Sequence, residues 1–228
     1  MGNANTAGRP RGGPSRFWAL AGIVSATRFL ATVNSMLAPD EEYEQVVFAD
    51  TDFGTLAAGN CHFVECAFNH STFGKNRMRK CRFTDSSLQD TRFVATDLAE
   101  TGWQDATLTR CALAGVEAFS STLRRVTFRD CKLDSVNFRD STLRDVTFEN
   151  CLMRDVDFGS ARLNRVAFGG CTLGADFSKA TLARVDLRGA ELRITAGYES
   201  LRGARISTVQ LIGLAPMLAQ HLGLTVED

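Results

Sequence analysis

Cys61, His62, Cys66 and His70 fall within the ten-residue stretch CHFVECAFNH. Mixed cysteine and histidine at short spacing is how tetrahedral structural zinc is held, so metal chemistry is the first reading to weigh. The sequence offers little other chemistry. Its three histidines, His62, His70 and His221, are too scattered to pair with a nucleophile. No Gly-rich phosphate loop, GxSxG elbow or HExxH pair occurs. Neither an enzyme nor a cofactor is therefore expected. The seven cysteines are odd in number in a chain of 228 residues, which favours a reduced, cytoplasmic protein over a disulfide-bonded secreted one. Lys+Arg and Asp+Glu stand at 26 each, so no global charge marks a nucleic-acid binder.

What positions these residues is a period of five. From Phe48 to Leu173 every fifth residue is large and apolar, as in Phe63, Phe68, Phe73, Met78, Phe83 and Leu88; only Ala58 and Ala118 depart from it. Two residues before these centres the side chain is almost always small or β-branched, and all seven cysteines (61, 66, 81, 111, 131, 151, 171) occupy that class. An extended chain sends residues two apart to the same side, so both classes point inward while the remaining residues of each five turn outward. Neither a helical period of 3.6 nor a strand period of 2 generates this pattern.

The five is nested in a twenty. The small position reads Cys111, Val116, Ser121, Val126, then Cys131, Val136, Ser141, Val146, then Cys151, Val156, Ala161, Val166. Twenty residues make one coil of four short sides, and like residues stack in columns about 4.8 Å apart. From about residue 46 to 211 there is room for about eight such coils. The opening stretch is then explained. Cys61 and Cys66 point inward on adjacent sides of a coil, His62 and His70 point outward, and the four side chains diverge. No shared metal is expected; the cysteines read as small buried hydrophobes. Ladder disulfides such as Cys131 to Cys151 are also not expected, because parallel stacked Cα–Cβ vectors lack the crossed geometry of the bond.

The segments ADTDF, SVNF, DVDF, GADF and RVDLRGAEL resemble the signature of the pentapeptide repeat proteins over roughly residues 46–206. The resemblance implies an all-β fold, a right-handed quadrilateral β-helix. The tail after it, GARISTVQLIGLAPMLAQHLGLTVED, is similar to the C-terminal segment of the gyrase-protecting members, the Qnr and MfpA kind. Leu211, Leu214, Leu218 and Leu222 are spaced as one helical face, with Pro216 expected to divide it into two short pieces. The resemblance implies that residues 207–228 cap the coils and pair two copies end to end, those four leucines forming the contact. It further implies a non-enzymatic protein that binds DNA gyrase or another topoisomerase and alters its response to quinolones.

Members of that kind imitate duplex DNA with an acidic rod, whereas residues 46–212 here carry 22 basic and 20 acidic residues, a net of +2. Successive coils alternate in sign: Asp105, Arg125, Asp145 and Arg165 share one column, Arg129 stacks with Glu149, and Asp134 with Arg154. Such pairs hold neighbouring strands in register. The local acidic excess is Asp50, Asp52 and Glu65, taken as the candidate partner surface. A basic band follows (Lys75, Arg77, Arg79, Lys80, Arg82) without interleaved aromatic side chains, so direct nucleic-acid binding is not expected. Residues 1–15 are Gly/Pro-rich and basic and read as disordered. Residues 16–45 read as a helix and linker, the helix over about 16–37 being a cap, a membrane tether or a signal segment. A general protein-interaction rod, membrane-associated through that helix, is the alternative function.

Overall fold

The computed structural model describes residues 37–225 and Glu227. The expected disordered tail and nearly all of the expected N-terminal helix lie outside these residues. From Leu37 the chain winds as a solenoid of about eight four-sided coils, closed at its C-terminal end by one helix.

Every strand pairing is parallel and links residues twenty apart through most of the length, for example His62 with Arg82, Phe68 with Leu88, and Leu113 with Leu133. The inward centres define the sides. The first side carries Tyr43, Phe63, Phe83, Trp103, Leu123, Leu143, Leu163 and Leu182. The second carries Phe48, Phe68, Leu88, Leu108, Phe128, Phe148 and Phe168, and the third Phe73, Phe93, Leu113, Leu133, Met153, Leu173 and Leu192. The fourth side is tied by single bridges, Ala57 to Arg77 to Asp97 to Glu117 to Asn137 to Asp157. Strand Glu42–Glu44 pairs with His62–Val64, so the ladder already includes residues ahead of 46.

The abundance of phenylalanine follows from the stacking. Phe63 and Phe83 lie 4.8 Å apart with rings 16° from parallel, Phe73 and Phe93 4.8 Å apart, and Phe128 and Phe148 4.7 Å apart. A flat ring without a polar tip fills a column at the coil rise and leaves no hydroxyl to satisfy. Small polar residues at the other inward position satisfy themselves locally. The hydroxyls of Thr91, Thr96 and Ser141 donate to the carbonyls of Phe68, Phe73 and Ala118, each at 3.0 Å and 23 residues earlier.

The turn from side to side has a feature the sequence did not announce. Nearly every fifth residue, two after the centre, is left-handed; Asn60, Glu65, His70, Lys75, Asp85, Asp90 and Asp105 have φ between 49° and 58°. The conformation is costly for residues other than glycine, least so for Asp and Asn, and it bends the chain sharply enough to start a new side. The corner N–H then reaches the next coil, as Glu65 N–H does to the Thr84 carbonyl at 2.9 Å. The period also shortens once. After Leu173 the next centre is Phe177, with Gly174 at the step, where an added Cβ would stand 3.1 Å from the Met153 carbonyl oxygen. The centres resume at Leu182, Leu187 and Leu192.

The tail forms one helix, Thr208–His221, with Pro216 inside it, not two pieces. Leu214 and Leu218, on either side of the proline, both pack on the core, so the two halves are anchored separately. The carbonyl that Pro216 leaves without its donor belongs to Ile212, a residue that is 68% exposed.

Candidate interaction surfaces

The divergence expected of the opening cluster is observed. Cys61 and Cys66 are fully buried, with Sγ–H donating to the carbonyls of Ala38 and Tyr43 at 3.0 and 3.2 Å, whereas His70 is exposed at a corner near Asp50 and Asp90. Among the described residues no group of three or more His, Cys, Asp and Glu is arranged to hold a metal ion.

Asp50, Asp52 and Glu65 do not converge on one surface. Glu65 sits at the corner between the first and second sides, where it accepts from Gln45 Nε2 at 2.9 Å. Asp50 sits at the next corner, and Asp52 on the third side accepts from Gly54 N–H at 2.9 Å. The alternating column does close as ion pairs. Arg125 Nη2 lies 2.6 Å from Asp105 Oδ2, Arg165 pairs with Asp145, and Arg129 Nε lies 2.8 Å from Glu149. Asp134 and Arg154 are in register, yet no ion pair joins them among the described residues. Arg125 holds the Asp105 carboxyl below the usual carboxylate range, and Arg165 does the same to Asp145.

A different acidic surface emerges on the fourth side. The outward residue before each centre reads Asp97, Glu117, Asn137, Asp157 and Asp176 in successive coils, and the following corners add Glu100 and Asp140. Against these carboxylates the fourth side of the same coils carries Arg139, 3.0 Å from Asp157, and Lys179. Asn137 donates to Glu117 at 2.7 Å and leaves its charge in place. The basic band precedes this stripe on the same side: Arg79 pairs with Asp97 at 3.1 Å and Lys80 with Glu100 at 3.8 Å. Reading every twentieth residue one before the centre would have found the column as far as Asp157. The four-residue step at Gly174 then shifts Asp176 out of that count.

The second surface is apolar. The helix Thr208–His221 carries no Asp, Glu, Lys or Arg. Of the four expected leucines, Leu214 is buried and Leu218 partly buried against the solenoid, while Leu211 and Leu222 are 49% and 71% exposed. They therefore divide between the cap's inner contact and its outer face. Val209, Ile212, Met217 and Leu224 are exposed as well, and exposed apolar surface of this extent is what soluble proteins cover with a partner.

No curated protein matches the chain. Solved structures of similar fold include a trypsin-treated variant of QnrB1, a plasmid-mediated fluoroquinolone resistance protein, at 15% identity and TM-score 0.40, covering 82% of this chain and 100% of that one. HetL, involved in heterocyst differentiation regulation in the cyanobacterium Nostoc, matches at 14% identity and TM-score 0.32 over 74% and 90% of the two chains. Rfr23 from the cyanobacterium Cyanothece matches at 14% identity and TM-score 0.21 over 74% and 92%. The family model described as a pentapeptide repeat region matches residues 101–175 and 121–196. Residues 101–196 are thus a pentapeptide repeat region, and the same period of five runs through all four sides of the coils.

Proposed function

We propose that this protein is a non-enzymatic binder of a DNA topoisomerase, gyrase before others, that changes the enzyme's response to quinolones and works as a homodimer in the cytoplasm. The observation that carries this reading is the carboxylate stripe of Asp97, Glu117, Asp157 and Asp176 on the fourth side. Its repeat follows the coil rise, and it presents a line of negative charge to a groove built for duplex DNA although the chain as a whole is neutral. The likeness of the tail to the gyrase-protecting members and the uncharged outer face of the C-terminal helix support pairing of two copies.

The test is gyrase supercoiling with purified protein titrated in, with and without ciprofloxacin. Inhibition or drug protection at micromolar protein is the expected result, reduced at least tenfold in an Asp97→Asn, Glu117→Gln, Asp157→Asn, Asp176→Asn variant. No effect from a folded wild-type protein would leave the second reading, a general interaction rod. That reading is favoured by the ion pairs joining Arg79, Arg139 and their neighbours to part of the stripe.

A further inference from the structure

Four of the seven cysteines form one column. Cys111, Cys131, Cys151 and Cys171 enter the third side in four consecutive coils, and a second pair, Cys61 and Cys81, enters the first side. All are free and buried. The sulfurs within each set repeat one another. The Sγ–H groups of Cys111, Cys131, Cys151 and Cys171 donate to the carbonyls of Leu88, Leu108, Phe128 and Phe148 at 3.5, 3.4, 3.5 and 3.4 Å. Those of Cys61 and Cys81 donate to Ala38 and Ala58, both at 3.0 Å. Identical contacts in successive coils make neighbouring sulfurs translations of one another by the coil rise. Stacked rings beside the column measure that rise: Phe128 to Phe148 is 4.7 Å and Phe148 to Phe168 is 5.0 Å.

That separation suits one kind of coordination. Metal–thiolate bonds run about 2.3 Å, so two in line span about 4.6 Å. A closed-shell soft cation that prefers two ligands in a line can therefore sit between adjacent sulfurs with little movement of the coils. A tetrahedral ion cannot, since among the described residues no third or fourth ligand converges there. The apolar interior selects the charge. Two thiols that release two protons to a divalent ion form a neutral bis-thiolate, whereas a monovalent ion would leave a buried negative charge at substantial cost. We propose that the cysteine columns are binding sites for mercuric ion, held as a linear bis-thiolate: Hg²⁺ plus two R–SH gives Hg(SR)₂ plus two H⁺. The column of four takes two ions, the Cys61–Cys81 pair takes one, and Cys66, stacked under Ser86 and the only cysteine of its column, takes no part.

The test counts ions in the folded chain. Reduced, desalted protein is titrated with mercuric chloride while thiolate-to-mercury absorbance in the ultraviolet and β-sheet circular dichroism are followed. Two variants with six thiols each provide the discrimination. Serine is tolerated at this inward position, as Ser71, Ser121 and Ser141 show, so both are expected to fold. Wild type and Cys66→Ser should break at three equivalents and Cys151→Ser at two, with the β-sheet signal retained. The same break point in the two variants, or loss of β-sheet signal during loading, would overturn the proposal.

Discussion

Gln210 donates through Nε2 to the Leu187 carbonyl, 2.6 Å away and 23 residues earlier in the chain. The same amide nitrogen reaches the Ala190 carbonyl at 2.7 Å, while Oε1 accepts from Ser207 N–H at 2.8 Å, closing a capping box whose other half is Ser207 Oγ to Gln210 N–H. One side chain thus starts the helix and ties it to carbonyls of the last coil that no further coil covers. Gln210→Ala removes all three bonds and should cost about 1–3 kcal/mol. Gln210→Glu keeps an acceptor for Ser207 but sets a carboxylate against two carbonyl oxygens, and should be the worse of the two. Chemical denaturation ranks them; equal midpoints for wild type and both variants would show that the helix docks through Leu214 and Leu218 alone.

Asn76 occupies the small inward position where Val116, Val136 and Val156 stand in later coils, and it is buried. Among the described residues neither its Oδ1 nor its Nδ2 has a hydrogen-bond partner. An unsatisfied buried amide costs about 1–3 kcal/mol, and the later coils show that valine fits the site. Asn76→Val should therefore raise the unfolding free energy by about 1–2 kcal/mol. A fall in the denaturation midpoint would mean that the amide has a role the fold itself does not reveal.

These two residues mark what the sequence could and could not tell. The inward positions were legible because a coil with two apolar residues in five has only one way to bury them. Phe63, Leu88 and Cys131 could be assigned without coordinates. Asn76 carries the right size for its column, so nothing in the pattern signalled that it lacks partners. The left-handed corners at residues such as Lys75 and Arg110 were invisible because their occupants are chemically mixed. The acidic stripe was missed for another reason. The alternating column of Asp105, Arg125, Asp145 and Arg165 is a corner column, and pairing there drew attention from Asp97, Glu117 and Asp157 one side away.

Acid should weaken the fold in a defined window. Arg188 holds Asp186 down to about 2, and Asp90, Asp105 and Glu191 are lowered by Arg110, Arg125 and Arg193. Unfolded, these carboxylates return to about 4. A carboxylate depressed in the folded state contributes stability that is complete above its unfolded value and lost as pH falls through its folded one. Stability should accordingly be level down to pH near 4 and decline toward pH 2. Asp85, raised by burial and by Asp105, acts in the opposite sense and above that window, its penalty being relieved as pH falls toward about 4, before the decline begins. Urea midpoints at pH 7, 4, 3 and 2 read this directly. Asp186→Asn should flatten the lower part of the limb, and a wild-type midpoint unchanged at pH 2 would contradict the assignment.

The two faces of the C-terminal helix separate folding from pairing. Leu214 is 5% exposed and packs on the last coil, whereas Ile212 is 68% exposed and Val209 79%. Leu214→Ala should cost about 2–5 kcal/mol, the usual range for truncating a buried leucine. Ile212→Glu changes an exposed side chain and should leave the denaturation midpoint of the monomer nearly unchanged, since surface substitutions usually fall within about 0.5 kcal/mol. It does place a charge among the exposed apolar residues, where an interface between two copies would have to bury it. Sedimentation of wild type should give twice the chain mass and sedimentation of Ile212→Glu the single mass, both with full β-sheet signal. A wild-type protein that sediments as a monomer at tens of micromolar would assign the outer face to a different partner, and the pairing would be abandoned.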